Sequence, residues 1–185
     1  MRLFVSVDLP PGLAEPIREL QSSLGDASGL RFTDPTQAHV TLKFLGETAP
    51  DRVPELERAI EDAVATADLE PFTVEFGGLG VFPDLEYISV VWVGTRRGGD
   101  RLARLHEALE AETTALGFEP EDHDFTPHVT IARMDHAGGK SLVQEAVRSR
   151  DPDVGSMTVE EVRLTESRLR SDGPVYETVH AVSLE

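Results

Sequence analysis

Apolar and polar residues alternate from Arg2 to Asp8 around Leu3, Val5 and Val7, and the run stops at Leu9-Pro10-Pro11-Gly12. That pattern predicts a strand ending in a turn. Leu13, Ile17, Leu20 and Leu24 then recur at helical spacing, which predicts a helix with Pro16 confined to its first turn. Gly25 to Asp34 reads as a loop carrying Arg31 and Phe32 ahead of a second strand, Ala38 to Leu45, closed by Gly46. An acidic amphipathic helix is expected over Val53 to Ala67. It is followed by a strand from Phe72 to Phe76, a hairpin turn in GGLGVFPD and a returning strand from Tyr87 to Val93.

Gly98 and Gly117 bracket a third helix with Leu102, Leu105, Leu109 and Leu116 on one face. A strand over His128 to Arg133 and a short helix over Lys140 to Arg150 follow. Two closing strands, Thr158 to Thr165 and Val175 to Leu184, flank the turn at Ser171 to Pro174. The expected order is β-α-β-α-β-β-α-β-α-β-β, an α+β pattern with two similar halves, roughly 1–93 and 94–185.

Composition narrows the class. The chain has 185 residues, 39% of them hydrophobic, enough for a packed core. Its formal net charge is −17, and only two of its basic residues are lysines, so extended duplex nucleic-acid binding is not expected. The same acidity suits a high-salt setting, where screening weakens self-repulsion. The chain has no cysteine, which excludes disulfides, thiolate metal sites and cysteine nucleophiles. No apolar run reaches membrane-spanning length, and the opening run is too short for a signal peptide. A cytoplasmic monomer without membrane partners is expected.

The chemistry lies in a repeat. HVTL at 39–42 and HVTI at 128–131 stand 89 residues apart, close to half the chain, and a chance second copy would arise about once in a hundred such sequences. In a strand, positions i and i+2 share a face, so each motif sets an imidazole beside a hydroxyl and turns Val40 or Val129 to the core. Two such strands brought together would focus two histidines and two threonines on one cleft. Two imidazoles can divide general acid and base roles near neutral pH, and two hydroxyls can donate to phosphate oxygens. That set performs phosphodiester chemistry without a metal or another cofactor.

HVTLKFLGE and FTPHVTIAR resemble the paired H-x-T motifs of the two-histidine (2H) phosphoesterase superfamily. RLFVSVDLP, GGLGVFP and ESRLRSDGPVYE resemble its RNA 2′,3′-cyclic phosphodiesterase branch, the ThpR/LigT or 2′-5′ RNA ligase family. The resemblance implies a bilobal fold in which two antiparallel sheets with outer helices, related by a pseudo-two-fold, flank a central cleft. It further implies opening of 2′,3′-cyclic phosphate RNA ends to 2′-phosphomonoesters, and a reverse 2′-5′ joining reaction. His39 would be the general acid and His128 the general base, with Thr41 and Thr130 on the phosphate. An alternative substrate is another cyclic or 2′-5′ nucleotide, and a non-catalytic RNA-end binding module is the reading outside enzymes.

Arg133 matches the arginine after T-h-A in the family's second motif and would bind phosphate. Strand parity sets it opposite His128, so this role requires a bulge or strand end by Ala132. Lys43, in phase with His39 and Thr41, is a second cationic candidate. Arg31 and Phe32 would border the terminal base, with Phe32 stacking on it. His106, His136 and His180 read as ordinary exposed residues, and His123 as part of a solvated acidic loop rather than a metal ligand.

Overall fold

The computed structural model describes all 185 residues. Nine strands and four helices form: β1 (Arg2–Asp8), α1 (Ala14–Ser23), β2 (Leu30–Phe32), β3 (His39–Glu47), α2 (Val53–Ala67), β4 (Phe72–Pro83), β5 (Ile88–Arg97), α3 (Gly99–Ala115), β6 (Val129–Met134), α4 (Lys140–Ser149), β7 (Asp153–Val159), β8 (Glu161–Arg170) and β9 (Gly173–Ser183). The sheet is antiparallel throughout, in the order β7-β4-β5-β6-β3-β1-β8-β9, with β2 also on β6.

Two four-stranded halves are thus visible, and they meet at a single register pair between β3 and β6, Val40 opposite Val129. The halves interleave along the chain. β1, β3, β8 and β9 make one, backed by α2 and α3, while β4 to β7 make the other, backed by α1 and α4. The division into 1–93 and 94–185 therefore marks the repeat of the motif strands and not contiguous lobes. The helices bury the alternate strand residues Leu3, Val5, Val7, Val40, Val129, Val162 and Leu164 against Leu56, Ile60, Leu102, Leu105 and Leu109, and this apolar burial stabilises the α-to-β packing.

Three local departures have physical causes. The glycine run is strand, not hairpin: β4 continues through it, and the turn lies at 84–87, where Asp84 Oδ1 accepts from the amides of Glu86 and Tyr87. The glycines serve close approach and a bulge. A Cβ on Gly80 would come within 2.2 Å of the Trp92 ring, and Gly78 holds φ of 78° at the register shift between Gly77 and Leu79. The strand expected over Thr158 to Thr165 is the end of β7 and the start of β8, separated at Glu160. Arg31 and Phe32 form a short strand on β6 instead of loop.

The motif strands carry matching bulges. Val5 stands opposite Lys43 and Ser6 opposite Thr41, leaving Leu42 extra, and Val91 stands opposite Ala132 and Trp92 opposite Thr130, leaving Ile131 extra. Each extra residue is the third after its histidine. Buried side chains from the backing helices reach their carbonyls: His106 Nδ1 of α3 donates to Leu42 O at 2.7 Å, and Gln21 Nε2 of α1 donates to Ile131 O at 3.0 Å. His106 is therefore not exposed but a buried bulge cap, stacked on Phe125 at 4.4 Å. Replacement by leucine orphans a buried carbonyl, so His106→Leu should lower stability by about 1–3 kcal/mol in urea unfolding. An unchanged midpoint would show that the cap is dispensable.

Candidate active site

Antiparallel continuation of the Val40–Val129 pair sets Thr41 opposite His128 and Thr130 opposite His39. With both valines buried below, all four motif side chains occupy the other face, and the two histidines stand on the diagonal. Diagonal neighbours lie about 7–8 Å apart, a span that admits a phosphate group between two imidazoles.

The bulges decide which side chains beyond each motif return to its face. Leu42 and Lys43 are both buried, as are Ile131 and Ala132, so parity flips and Phe44 and Arg133 return to the histidine face. The bulge that a phosphate-binding role for Arg133 requires is present, and its charge acts on His39, His128 and Tyr176 alike. Lys43 is a different case: its in-phase placement is corrected by the same bulge. It is 1% exposed, and its Nζ donates to Glu110 Oε2 at 3.0 Å and to Glu119 O at 2.6 Å. Burial would push the Glu110 carboxyl up, but hydrogen bonds from Lys43 and the Glu121 amide, with the lysine charge, hold it below the usual range.

Each imidazole is anchored by its own strand entry. His39 Nδ1 donates to Gln37 O at 2.9 Å and His128 Nδ1 donates to Thr126 O at 2.6 Å, which leaves Nε2 of each ring as the proton-exchanging atom. Gln37 also ties down β9: its Nε2 donates to Pro174 O and its Oε1 accepts from Tyr176 N. Two aromatics flank each histidine, Phe4 at 5.1 Å and Tyr176 at 5.0 Å around His39, Phe82 at 4.9 Å and Trp92 at 5.8 Å around His128. This burial pushes both imidazoles below the ordinary histidine value, against the carbonyl hydrogen bonds, which raise it. The charges around them differ. Asp8, opposite His39 on β1, favours its cation while Arg133 disfavours it, and His39, Arg133 and His123 all disfavour a cation on His128.

The remaining expectations divide. Arg31 lies opposite Arg133 on the same face and is paired with Asp135 at 3.2 Å. Phe32 lies opposite Ala132 on β6 and is 37% exposed. Phe4, Phe82, Trp92 and Tyr176 are not singled out by the sequence. Their only signal there is that of aromatics in phase with a strand that neighbours a motif strand, and that pairing is not visible in one sequence. Beside His39 opens a groove of about 770 Å³ bordered by Phe4, Tyr176, Asp8, Arg163 and Thr165, and beside His128 a hollow of about 80 Å³ bordered by Thr41, Phe44, Phe82 and His123. No three His, Asp or Glu side chains converge as a metal site.

A family model described as the 2′-5′ RNA ligase superfamily matches residues 9–170. The chain is 34% identical over 178 residues to the RNA 2′,3′-cyclic phosphodiesterase of Methanothermobacter thermautotrophicus, with 95% of each chain covered. It is 33% identical over 177 residues to the protein of the same name from Archaeoglobus fulgidus, covering 95% of this chain and 96% of that one. Among solved structures, TT0787 of Thermus thermophilus superposes with a TM-score of 0.79 at 31% identity, over 100% of this chain and 98% of that one. E. coli LigT complexed with 3′-AMP superposes at 0.81 with 24% identity over 99% and 97%, a likeness of fold.

Because the folded chain depresses both histidines, the unfolded chain binds more protons between their folded values and 6.5. Their contribution to stability should be complete above pH 6.5 and decline as the pH falls through that window. Imidazole NMR titration should place both midpoints below 6.5, and a midpoint at or above 6.5 for either would contradict the burial account.

Proposed function

The chain belongs to the 2′-5′ RNA ligase superfamily, and from that premise we propose that it hydrolyses RNA 2′,3′-cyclic phosphate ends to 2′-phosphomonoesters with His39 as general acid and His128 as general base. The observation that carries this reading is the pair of Nδ1-anchored imidazoles on one face, each opposite the other motif's threonine. Neutral His128 takes a proton from water as the water oxygen bonds phosphorus. The P–O3′ bond breaks in line, the 3′-oxygen takes the proton of His39, and the 2′-oxygen keeps the phosphate. Thr41 and Thr130 donate to the non-bridging oxygens, and Arg133 neutralises the charge they gain. All of these groups come from the protein, so the scheme needs no metal ion.

The charge pattern supports the direction of the assignment. Asp8 favours a proton on His39 and no carboxylate acts on His128, where His123 adds to the Arg133 charge that both rings meet. The terminal nucleoside occupies the larger groove beside His39, with Phe4 and Tyr176 against its sugar and base. One chain supplies both histidines, so residues 1–185 act as one bilobal unit complete as a monomer. A net charge of −17 favours capture of an RNA end over an extended duplex. No helix is long and apolar enough to cross a membrane, and a cysteine-free chain of this kind suits the cytoplasm.

With a cyclic-phosphate oligonucleotide in EDTA, His39→Ala and His128→Ala should each lower kcat by about 10²–10⁴. The wild-type product should carry a 2′-phosphate, and full activity of either variant would overturn the reading. Arg133→Ala should lower kcat/KM by at least about tenfold. Lys43→Met, which removes a structural ion pair, should lower Tm by about 6–20 °C but leave the rate per folded molecule unchanged.

A further inference from the structure

The repeat duplicates the histidines and threonines of the cleft but not the side chains of the strands beside them. On β1, Asp8 stands opposite His39 and Ser6 opposite Thr41, and Arg163 of β8 stands opposite Ser6. In the other half, Trp92 of β5 stands opposite Thr130 and Gly80 of β4 opposite Trp92, and continuation of the β5–β6 pairing sets Gly94 opposite His128. Where His39 has a carboxylate, a hydroxyl and a guanidinium beside it, His128 has an indole between two glycines. The indole fills that space. A Cβ on Gly80 would come within 2.2 Å of its ring and one on Gly94 within 3.1 Å, which leaves no room for an arginine at Gly80.

On the His39 side, four side chains form one hydrogen-bonded chain. Thr165 Oγ1 donates to Ser6 Oγ, which in turn donates to Asp8 Oδ1, both at 3.0 Å, and Ser6 is fully buried. Arg163 Nη1 donates to Asp8 Oδ2 at 3.1 Å, while its Nε and Nη2 hold Glu161 Oε1 at 2.6 Å. Asp8 is thus held at both oxygens. Its strand neighbour Val7 is buried, so its side chain shares the cleft face with His39. Antiparallel partners have Cα atoms about 4.5–5.5 Å apart, and His39 Nδ1 is already bonded to Gln37 O, so the carboxylate acts on the imidazole through space and favours its cation. The other titratable groups around His39 are Arg133 and His128 of β6, Tyr176 of β9, and Glu160 and Glu161 at the entry to β8, and of these Arg133 opposes the cation.

We propose that Arg163 is a positioning residue for the acid histidine: it holds the Asp8 carboxylate across from His39 and offsets part of its charge, and this ion pair, which has no counterpart beside His128, assigns the general-acid role to His39. This rests on the phosphodiesterase reading above. Arg163 acts through Asp8, and the two residues therefore have opposite effects. Loss of the carboxylate removes the attraction that keeps a proton on His39. Loss of the guanidinium leaves the carboxylate unopposed and strengthens that attraction. A purely structural role for the pair would not move His39 in opposite directions.

Imidazole NMR titration of the full chain tests this, together with kcat/KM on adenosine 2′,3′-cyclic phosphate in EDTA. Asp8→Asn removes the charge but keeps the shape and one accepting oxygen, and it should lower the His39 midpoint by about 0.5–1 pH unit. Arg163→Met should raise that midpoint by a similar amount, and in both variants His128 should move by less than about half as much. In the double variant, Arg163→Met should add less than about half of its effect in the wild-type background, because the carboxylate it acts through is gone. Well above both midpoints, kcat/KM of Asp8→Asn should fall about threefold to tenfold, in step with the lost proton on His39. A His39 midpoint unmoved by Asp8→Asn, or shifts of the same sign in the two single variants, would overturn the positioning role while leaving the opening of cyclic phosphate in place. A wild type inert on the cyclic phosphate would overturn both.

Discussion

The site depends on one crossing, where β3 and β6 meet at Val40 and Val129 and nowhere else in register. Because strand side chains alternate, burying both valines commits His39, Thr41, His128 and Thr130 to the opposite face. Because the strands are antiparallel, each histidine stands across from the other motif's threonine. A one-residue slip of either strand would bury the imidazoles and expose the valines, so core packing enforces the catalytic geometry. Interleaving adds to this. β1 sits between β3 and β8, so the half that carries His39 joins strands from both ends of the chain, while β4 to β7 of the other half are consecutive.

Paired bulges set the chemistry beyond the motifs. By inserting Leu42 and Ile131 they bring Arg133 to the phosphate position and Phe44 to its counterpart, and they send Lys43 into the core. The two caps, His106 and Gln21, come from different helices and different residue types, yet each meets the carbonyl of the inserted residue. The duplication thus preserves a backbone shape more strictly than the side chains that serve it. In a protein of net charge −17, the electrostatic consequence is that Arg133 is directed at the phosphate position while Lys43 is neutralised by Glu110 away from it.

Much of this was legible in the chain. The helices at 53–67 and 99–115 and the strand at 2–8 follow from spacing of apolar residues, and the motif repeat identified the four central side chains. Local rules failed where pairing overrode them. Simple alternation set Lys43 beside His39 because a bulge is a property of two strands, not one. The glycines of β4 read as a turn because the reason for them, the Trp92 ring over Gly80, lies on another strand. The same holds for Phe4 and Tyr176, which reach His39 only through β1 and β9.

The central claim is that His39 protonates the leaving 3′-oxygen while His128 activates the nucleophile. A 2′,3′-cyclic phosphate with sulfur in place of the bridging 3′-oxygen departs as a thiolate and needs no proton. Single-turnover rates on this substrate should return His39→Ala to near the wild-type rate while His128→Ala remains slow. Equal rescue of both variants, or rescue of His128→Ala alone, would contradict the assignment.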